Sequence, residues 1–351
     1  MSSKLRIAVV ANANSIHTIR WVNWLRQQEH KVTIFSLNEA EDCIYFGPEP
    51  RLDRSLIFNL GKNVRKTTSE LQSKIDEFKP DIVHGFFLVN HGMYASRIEG
   101  YPKVMTAMGS DILIAPKESK LLSWIVKKAI KNSDSIFGPP LLVDEIEKWN
   151  LNTELNENII GIDCSIFKPS EKTKTIVFAR GFKEVYNPIV VSKAIEVLSS
   201  KLDNYEFILC GDGPLKPESE RILSYCKNVQ FTGQISETKL AEIIGKAELV
   251  LSPSLSDSIP LTILEAVASG TPVVASNIPA NQKWVDRKLP VFLFKTEDSE
   301  SLVEEILKVI KDDSILENTV KTGPNLIKEK YRWEKEAEKV LKKYVDLVTS
   351  N

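Results

Sequence analysis

The sequence predicts an α/β protein made of two Rossmann-like, doubly wound domains that face each other across a cleft. Three observations predict it. The 351 residues exceed one typical domain and suit two. Short apolar runs alternate with helical patterns along nearly the whole chain, the signature of parallel sheets covered by helices. A polar stretch from Lys168 to Lys174 interrupts that alternation once, near the middle, and reads as a linker.

In the first half the runs predict strands near 5–10, 31–36, 81–84, 102–106, 134–137 and 157–161. Helical patterns fall near 16–28, 66–78, 117–132 and 140–149. The stretch 38–65, with Pro48 and Pro50, reads as an irregular excursion. The second half restarts with strands near 175–179, 205–210, 229–232, 248–252, 272–275 and 290–294. Asn187 is a candidate cap for the helix opened by Pro188, and Ser236 for the helix 237–246. A helix near 298–311 follows the last strand. A terminal helix near 333–348 carries an apolar stripe and no strand after it. The expected domains are therefore 1–167 and 168–328, with 329–351 crossing back to the first.

Hydrophobic residues make up 42% and charged residues 26%, the balance of a soluble globular protein. A net charge of −1 gives no global case for nucleic-acid binding. Cys43, Cys164, Cys210 and Cys226 form no C-x-x-C pair and no zinc spacing, and read as reduced thiols of a cytoplasmic protein. The apolar run after Met1 is short and is broken by Asn12 and Asn14, which suits a first buried strand better than a signal peptide. No stretch has the length of a membrane span.

In doubly wound sheets, ligands sit beyond the carboxyl ends of the strands, so chemistry belongs in the loops that follow them. The most informative such loop runs from Ser254 through Asp257, Ser258, Ile259 and Pro260 into a helix carrying Leu261, Thr262 and Glu265. The amides at the start of that helix form a ready anion site. A carboxylate at Glu265 can hold a diol such as ribose. Asp257 can hold sugar hydroxyls or stabilise positive charge developing at an anomeric carbon. Taken alone, the two acids read more plainly as a helix cap and a solvated helix residue.

The segment 252–276 resembles the hallmark of glycosyltransferase family 4, of GT-B fold, in which two acids flank seven residues. The resemblance extends along nearly the whole chain. It takes in His17-Thr18-Ile19-Arg20-Trp21, Lys79-Pro80-Asp81-Ile82-Val83-His84, Gly109-Ser110-Asp111 and the run from Ile162 to Pro169. Gly211-Asp212-Gly213-Pro214 and Phe231-Thr232-Gly233 follow in order. The resemblance implies that Glu265 binds the nucleotide ribose and that Asp257 faces the donor sugar. The family's first acid is usually Glu, so Asp257 shortens the reach by one methylene.

Arg180 ends the first strand of the second domain, where a guanidinium can clamp a diphosphate. The family usually has a lysine about five residues on. Here Val185 and Tyr186 stand there, and Lys183 is the nearest cation. Three readings stay open: Lys183 reaches the phosphates, Tyr186 takes a neutral hydrogen-bonding role, or Arg180 and the helix start suffice. Gly211 and Gly213 permit close backbone approach to a ligand, the nucleotide base among the candidates, or simply make a tight turn.

In the first domain the loop 11–15 lacks the glycine pair of many family members, though its amides can still face the cleft. His17 follows it and His84 ends a strand, so each is a candidate ligand contact; His30 and His91 are weaker ones. Some members carry a histidine where this chain has Met108-Gly109-Ser110-Asp111, which makes Asp111 a candidate for acceptor or donor-sugar contact, or a cap. The helix near 117–132 mixes lysines with Trp124 and aliphatics. Such a mix can dock on anionic lipid, though an ordinary amphipathic surface helix is the plainer reading.

The resemblance implies a retaining transfer from a nucleoside-diphosphate sugar, a co-substrate rather than a cofactor, with no metal ion. Acceptors of glycan, lipid-linked and small-molecule type stay open, as does membrane association on the cytoplasmic face. Alternatives are an epimerase or hydrolase of the same architecture and a non-catalytic sugar-nucleotide binder. The lack of G-x-G-x-x-G after the first strand argues against a dinucleotide oxidoreductase.

Overall fold

A computed structural model describes residues 4–48 and 56–350, with side chains for all of these except 56–62. The chain divides into two compact units. One comprises Met1–Ile160 with Ala337–Asn351, the other Gly161–Glu336.

In the first unit, strands β1 (Arg6–Val10), β2 (Lys31–Ser36), β3 (Ile44–Tyr45), β4 (Ile82–Phe86), β5 (Lys103–Thr106), β6 (Ser135–Gly138) and β7 (Glu154–Glu157) form one sheet. Their order is β3-β2-β1-β4-β5-β6-β7, and every pair is parallel. Helices pack Leu71, Ile75, Ile125 and Ile130 against strand residues such as Val10, Phe35, Val83 and Met105. The central strand β1 is an uninterrupted apolar run from Ile7 to Val10, as a strand covered on both faces requires.

In the second unit, β8 (Thr173–Ala179), β9 (Glu206–Cys210), β10 (Val229–Gly233), β11 (Ala247–Ser252), β12 (Val273–Ser276) and β13 (Val291–Phe294) run in the order β10-β9-β8-β11-β12-β13, again all parallel. Its core joins Ile176, Phe178, Phe207, Leu209, Leu249 and Leu251 to Val191, Ile195 and Ile306 from the helices. In each sheet the winding reverses direction once, at β1/β4 and at β8/β11. Loops leaving two such neighbouring strands diverge and open a crevice.

Several local expectations change. The strand expected at 157–161 lies at Glu154–Glu157, where it pairs with β6. This half-exposed edge strand has no apolar run, whereas Ile159 and Ile162 are buried in the connection that follows. The excursion at 38–65 holds β3 and the start of a helix, Leu56–Phe78. Its part at 49–55, with Pro50, lies outside the described residues. The helix expected at 117–132 is two pieces, Ala115–Glu118 and Lys120–Lys131, and a further short helix, Ser110–Leu113, precedes them. Ser119 adopts an extended conformation between the two pieces and caps the second by accepting from the Leu121 amide.

Ser236 caps its helix through the Lys239 amide. Asn187 does not cap by its side chain; it takes φ +50° and lets Pro188 open the next helix. The stretch 168–174 is not a loose linker. Lys172 Nζ donates to Gly245 O at 3.0 Å, Ser269 O at 3.0 Å and Thr271 Oγ1 at 2.6 Å, and β8 starts at Thr173.

The last helix, Trp333–Thr349, contributes Tyr344 to the first unit. Its hydroxyl bonds His84 Nδ1, and its ring meets Trp21 edge-on. Lys343 pairs with Glu154 of β7 at 2.6 Å.

Candidate functional site

The second unit's site grows from the strands on either side of its switch point. β8 ends at Ala179, so the next residue, Arg180, projects from the sheet's carboxyl end. β11 ends at Ser252, and the loop after it carries Asp257 before the helix Leu261–Ala268 begins. The two loops are tied together by the Leu255 amide, which donates to Val185 O at 2.8 Å.

Arg180 and Asp257 form an ion pair between Nη2 and Oδ2, with the two side chains only 13% and 11% exposed. Asp257 Oδ1 accepts from the Ile259 amide at 3.1 Å, which sets the loop's approach to the helix. Arg180 Nη1 lies 3.5 Å from Thr262 Oγ1, and its Cζ stands 4.3 Å from the centre of the Tyr186 ring. Arg180 Nε is buried with no partner among the described residues. A largely buried guanidinium with one paired edge and a remaining donor is suited to binding an oxyanion.

Pro260 is buried and precedes the helix; its carbonyl accepts from the Ile263 amide at 2.9 Å. The amides of Leu261 and Thr262 lie ahead of the first intrahelical acceptors. Ser258, Ile259 and Leu261 are all half-buried. Glu265, also half-buried, is three residues beyond Thr262. That spacing places it on the helix face that Thr262 turns toward Arg180.

A third loop packs against the first. Gly211 has φ +115°, and a Cβ there would stand 2.6 Å from Arg180 O; Gly213 has φ +153°, and a Cβ there would stand 2.6 Å from Phe182 O. Only glycine lets this loop approach so closely. Hydrogen bonds fix the approach, from Phe182 N to Asp212 O at 3.0 Å and from Leu215 N to Phe182 O at 2.9 Å. Lys183 is exposed on the same turn.

The first unit places the remaining candidates. Asp111 is fully buried, and its carboxylate accepts from the amides of Leu88 at 3.0 Å, Met108 at 3.1 Å and Gly109 at 2.8 Å. Burial pushes its pKa up while those amides pull it down. It joins the loops after β4 and β5, beside Gly109 at φ +134°. His84 is buried between Tyr344 and Thr106, with Nε2 2.8 Å from Thr106 Oγ1, and burial lowers its pKa to about 3. His91 accepts from the Leu37 amide and His30 from the Leu5 amide, so all three serve the fold.

In the loop 11–15, the amides of Ala11, Ala13, Asn14 and Ser15 have acceptors within the unit. His17 remains half-buried in the first helical turn, with its pKa lowered by burial and by the Arg20 charge. Among the described residues no three His, Cys, Asp or Glu side chains gather as a metal-holding cluster. A groove of about 480 Å³ in this unit, lined by Asn14, Ile19, Asn23, Glu41 and Asp42, has no counterpart in the sequence reading. Part of its lining, Asn14 and Ile19, comes from the loop 11–15 and the His17–Trp21 segment, and further lining from Asn23, Ile34 and the stretch 40–42.

Two family models match the chain. One, described as glycosyl transferases group 1, matches residues 165–326. The other, glycosyl transferase 4-like, matches residues 6–138. The chain belongs to the group 1 glycosyltransferases.

This glycosyltransferase has the GT-B fold. It aligns with sucrose-phosphate synthase from Thermosynechococcus elongatus at TM-score 0.78 and 16% identity, covering 99% of this chain and 100% of that one. With Anabaena HepE, crystallised with UDP, the TM-score is 0.79 at 14% identity, over 98% and 100% of the two chains. Among sequence relatives, the sulfoquinovosyl transferase SQD2 of Arabidopsis thaliana is 24% identical over 89% of this chain and 66% of its own length. The chain thus spans just under two thirds of that relative. Arg180, Tyr186, Asp257 and Glu265 all lie within residues 165–326, the span matched by the group 1 model.

Proposed function

We propose that the chain transfers a sugar from a nucleoside-diphosphate-sugar donor to a glycan, lipid-linked or small-molecule acceptor, with retention and without a metal ion. The convergence of Arg180, Asp257 and Thr262 at the β8/β11 switch point, with Glu265 on the same helix face, carries this reading. The complexes of HepE with UDP and with UDP-glucose support the donor class.

In this reading the diphosphate lies against Arg180 and the amides of Leu261 and Thr262, which take up the charge released as the glycosidic bond breaks. Glu265 accepts hydrogen bonds from the ribose diol. Asp257 stabilises positive charge at the anomeric carbon. The acceptor hydroxyl attacks from the face the diphosphate leaves, and a departing phosphate oxygen takes its proton. Catalysis then rests on positioning and charge, with no enzymatic nucleophile. In the first unit, the amides and carboxylates around Asn23 and Glu41 suit a hydroxyl-rich acceptor.

We further propose a peripheral contact with an anionic lipid surface, on the cytoplasmic face. The helix Lys120–Lys131 turns Lys120, Trp124, Lys128 and Lys131 outward, with Trp124 52% exposed and Lys128 Nζ 5.0 Å from its ring centre. No helix among the described residues is long and apolar enough to cross a membrane. Binding to phosphatidylglycerol vesicles that disappears in Trp124→Ala/Lys128→Glu supports the contact; equal binding by the variant removes it.

The catalytic reading is tested by incubating the protein with a panel of nucleotide sugars, with and without glycan acceptors, and analysing the products. Transfer with an unchanged anomeric configuration agrees with it. Donor epimerisation, or hydrolysis that no acceptor diverts, replaces it with another reaction class.

A further inference from the structure

Tyr186 stands near the place where the family pattern has a lysine, and it brings a ring rather than a charge. Arg180 Cζ lies 4.3 Å from the ring centre, a cation–π distance. The guanidinium is held from three sides: Asp257 on Nη2, Thr262 at 3.5 Å from Nη1, and the Tyr186 ring. Nε has no partner among the described residues.

Tyr186 is itself well fixed. It closes the 3₁₀ turn Glu184–Tyr186, donating its amide to Lys183 O at 2.9 Å, and the buried Pro188 follows. Its ring lies close to Gly181, where an added Cβ would come 3.7 Å from Cδ2. The neighbouring Val185 carbonyl anchors the Asp257 loop through Leu255 N. The nearest cation in sequence, Lys183, is exposed and does not brace the guanidinium.

We propose that Tyr186 is a positioning residue for donor phosphate: its ring holds the Arg180 guanidinium in the orientation that receives the diphosphate. The ring orients the guanidinium and adds no charge of its own to the phosphate site. The contact uses the ring face, so the phenol hydroxyl is dispensable. The inference rests on the reading of Arg180 as the diphosphate ligand.

The test uses the full chain and isothermal titration with ADP, GDP and UDP, each beside its nucleoside. For the diphosphate bound best by the wild type, Tyr186→Leu weakens binding about tenfold, and Tyr186→Phe by no more than about twofold. Neither changes nucleoside affinity, which a general collapse of the loop would lower. In an Arg180→Ala background, Tyr186→Leu costs nothing more.

Wild-type affinity in Tyr186→Leu, equal losses in Phe and Leu, or an undiminished Leu effect without Arg180 each overturns the inference. If Arg180→Ala leaves diphosphate binding intact, or the wild type binds no diphosphate, the functional reading fails and this inference with it. If Arg180→Ala weakens binding and Tyr186→Leu does not, only the inference fails.

Discussion

Asp257 and Arg180 neutralise one another at the carboxyl end of the second sheet, nearly buried and 77 positions apart in sequence. The guanidinium assigned to the donor diphosphate is thus already engaged by the acid assigned to the sugar. A phosphate that binds Arg180 competes with that carboxylate.

Replacing Asp257 therefore separates binding from turnover. In Asp257→Ala, affinity for a nucleoside diphosphate stays level or rises a few-fold, because a competing anion is gone. The transfer rate falls about a hundredfold, because charge at the anomeric carbon loses its counterpart. Calorimetry and initial rates check the two halves. A parallel loss of both would mean that Asp257 only shapes the loop.

Acid should loosen the first unit through its buried histidines. Burial lowers the His84 pKa to about 3 and that of His91 to about 4, from the ordinary 6.5. The unfolded chain therefore takes up these protons at higher pH than the folded one. The stability they contribute is full above pH 6.5 and is lost as pH falls toward the folded values. Melting temperature measured against pH should fall across that window, and His84→Gln should flatten the curve. Parallel curves for variant and wild type would contradict the assignment.

Lys172 fastens the start of the second sheet to two other segments through three oxygen acceptors. Lys172→Met leaves Gly245 O and Ser269 O without this donor and costs about 2 kcal/mol of stability. Denaturant unfolding should show it as a lower midpoint, with donor affinity unchanged. An unaltered midpoint would place the ammonium in solvent.

Much of this organisation was legible in the sequence because it is local. Ile7 to Val10 and Phe207 to Cys210 are uninterrupted apolar runs, as strands covered on both faces require. Ser236 announced its helix by standing just ahead of it. Glu154–Glu157 was invisible because an edge strand need not be apolar. The residue type of Asp111 left sugar contact and capping both open, because it does not reveal that three backbone amides surround the carboxylate. His84 meets Tyr344 across 260 positions, a distance no local pattern spans. The Asp257–Glu265 spacing was readable, whereas the ring that Tyr186 lays against Arg180 exists only once two loops have packed.

The central claim is that a sugar nucleotide binds through its phosphates at Arg180. Thermal shift against a panel of nucleotide sugars, run on wild type and Arg180→Ala, tests it most directly. The account predicts that at least one donor raises the wild-type melting point and that Arg180→Ala abolishes the rise while remaining folded. A donor-induced rise that survives in Arg180→Ala, or no rise with any donor, would contradict it.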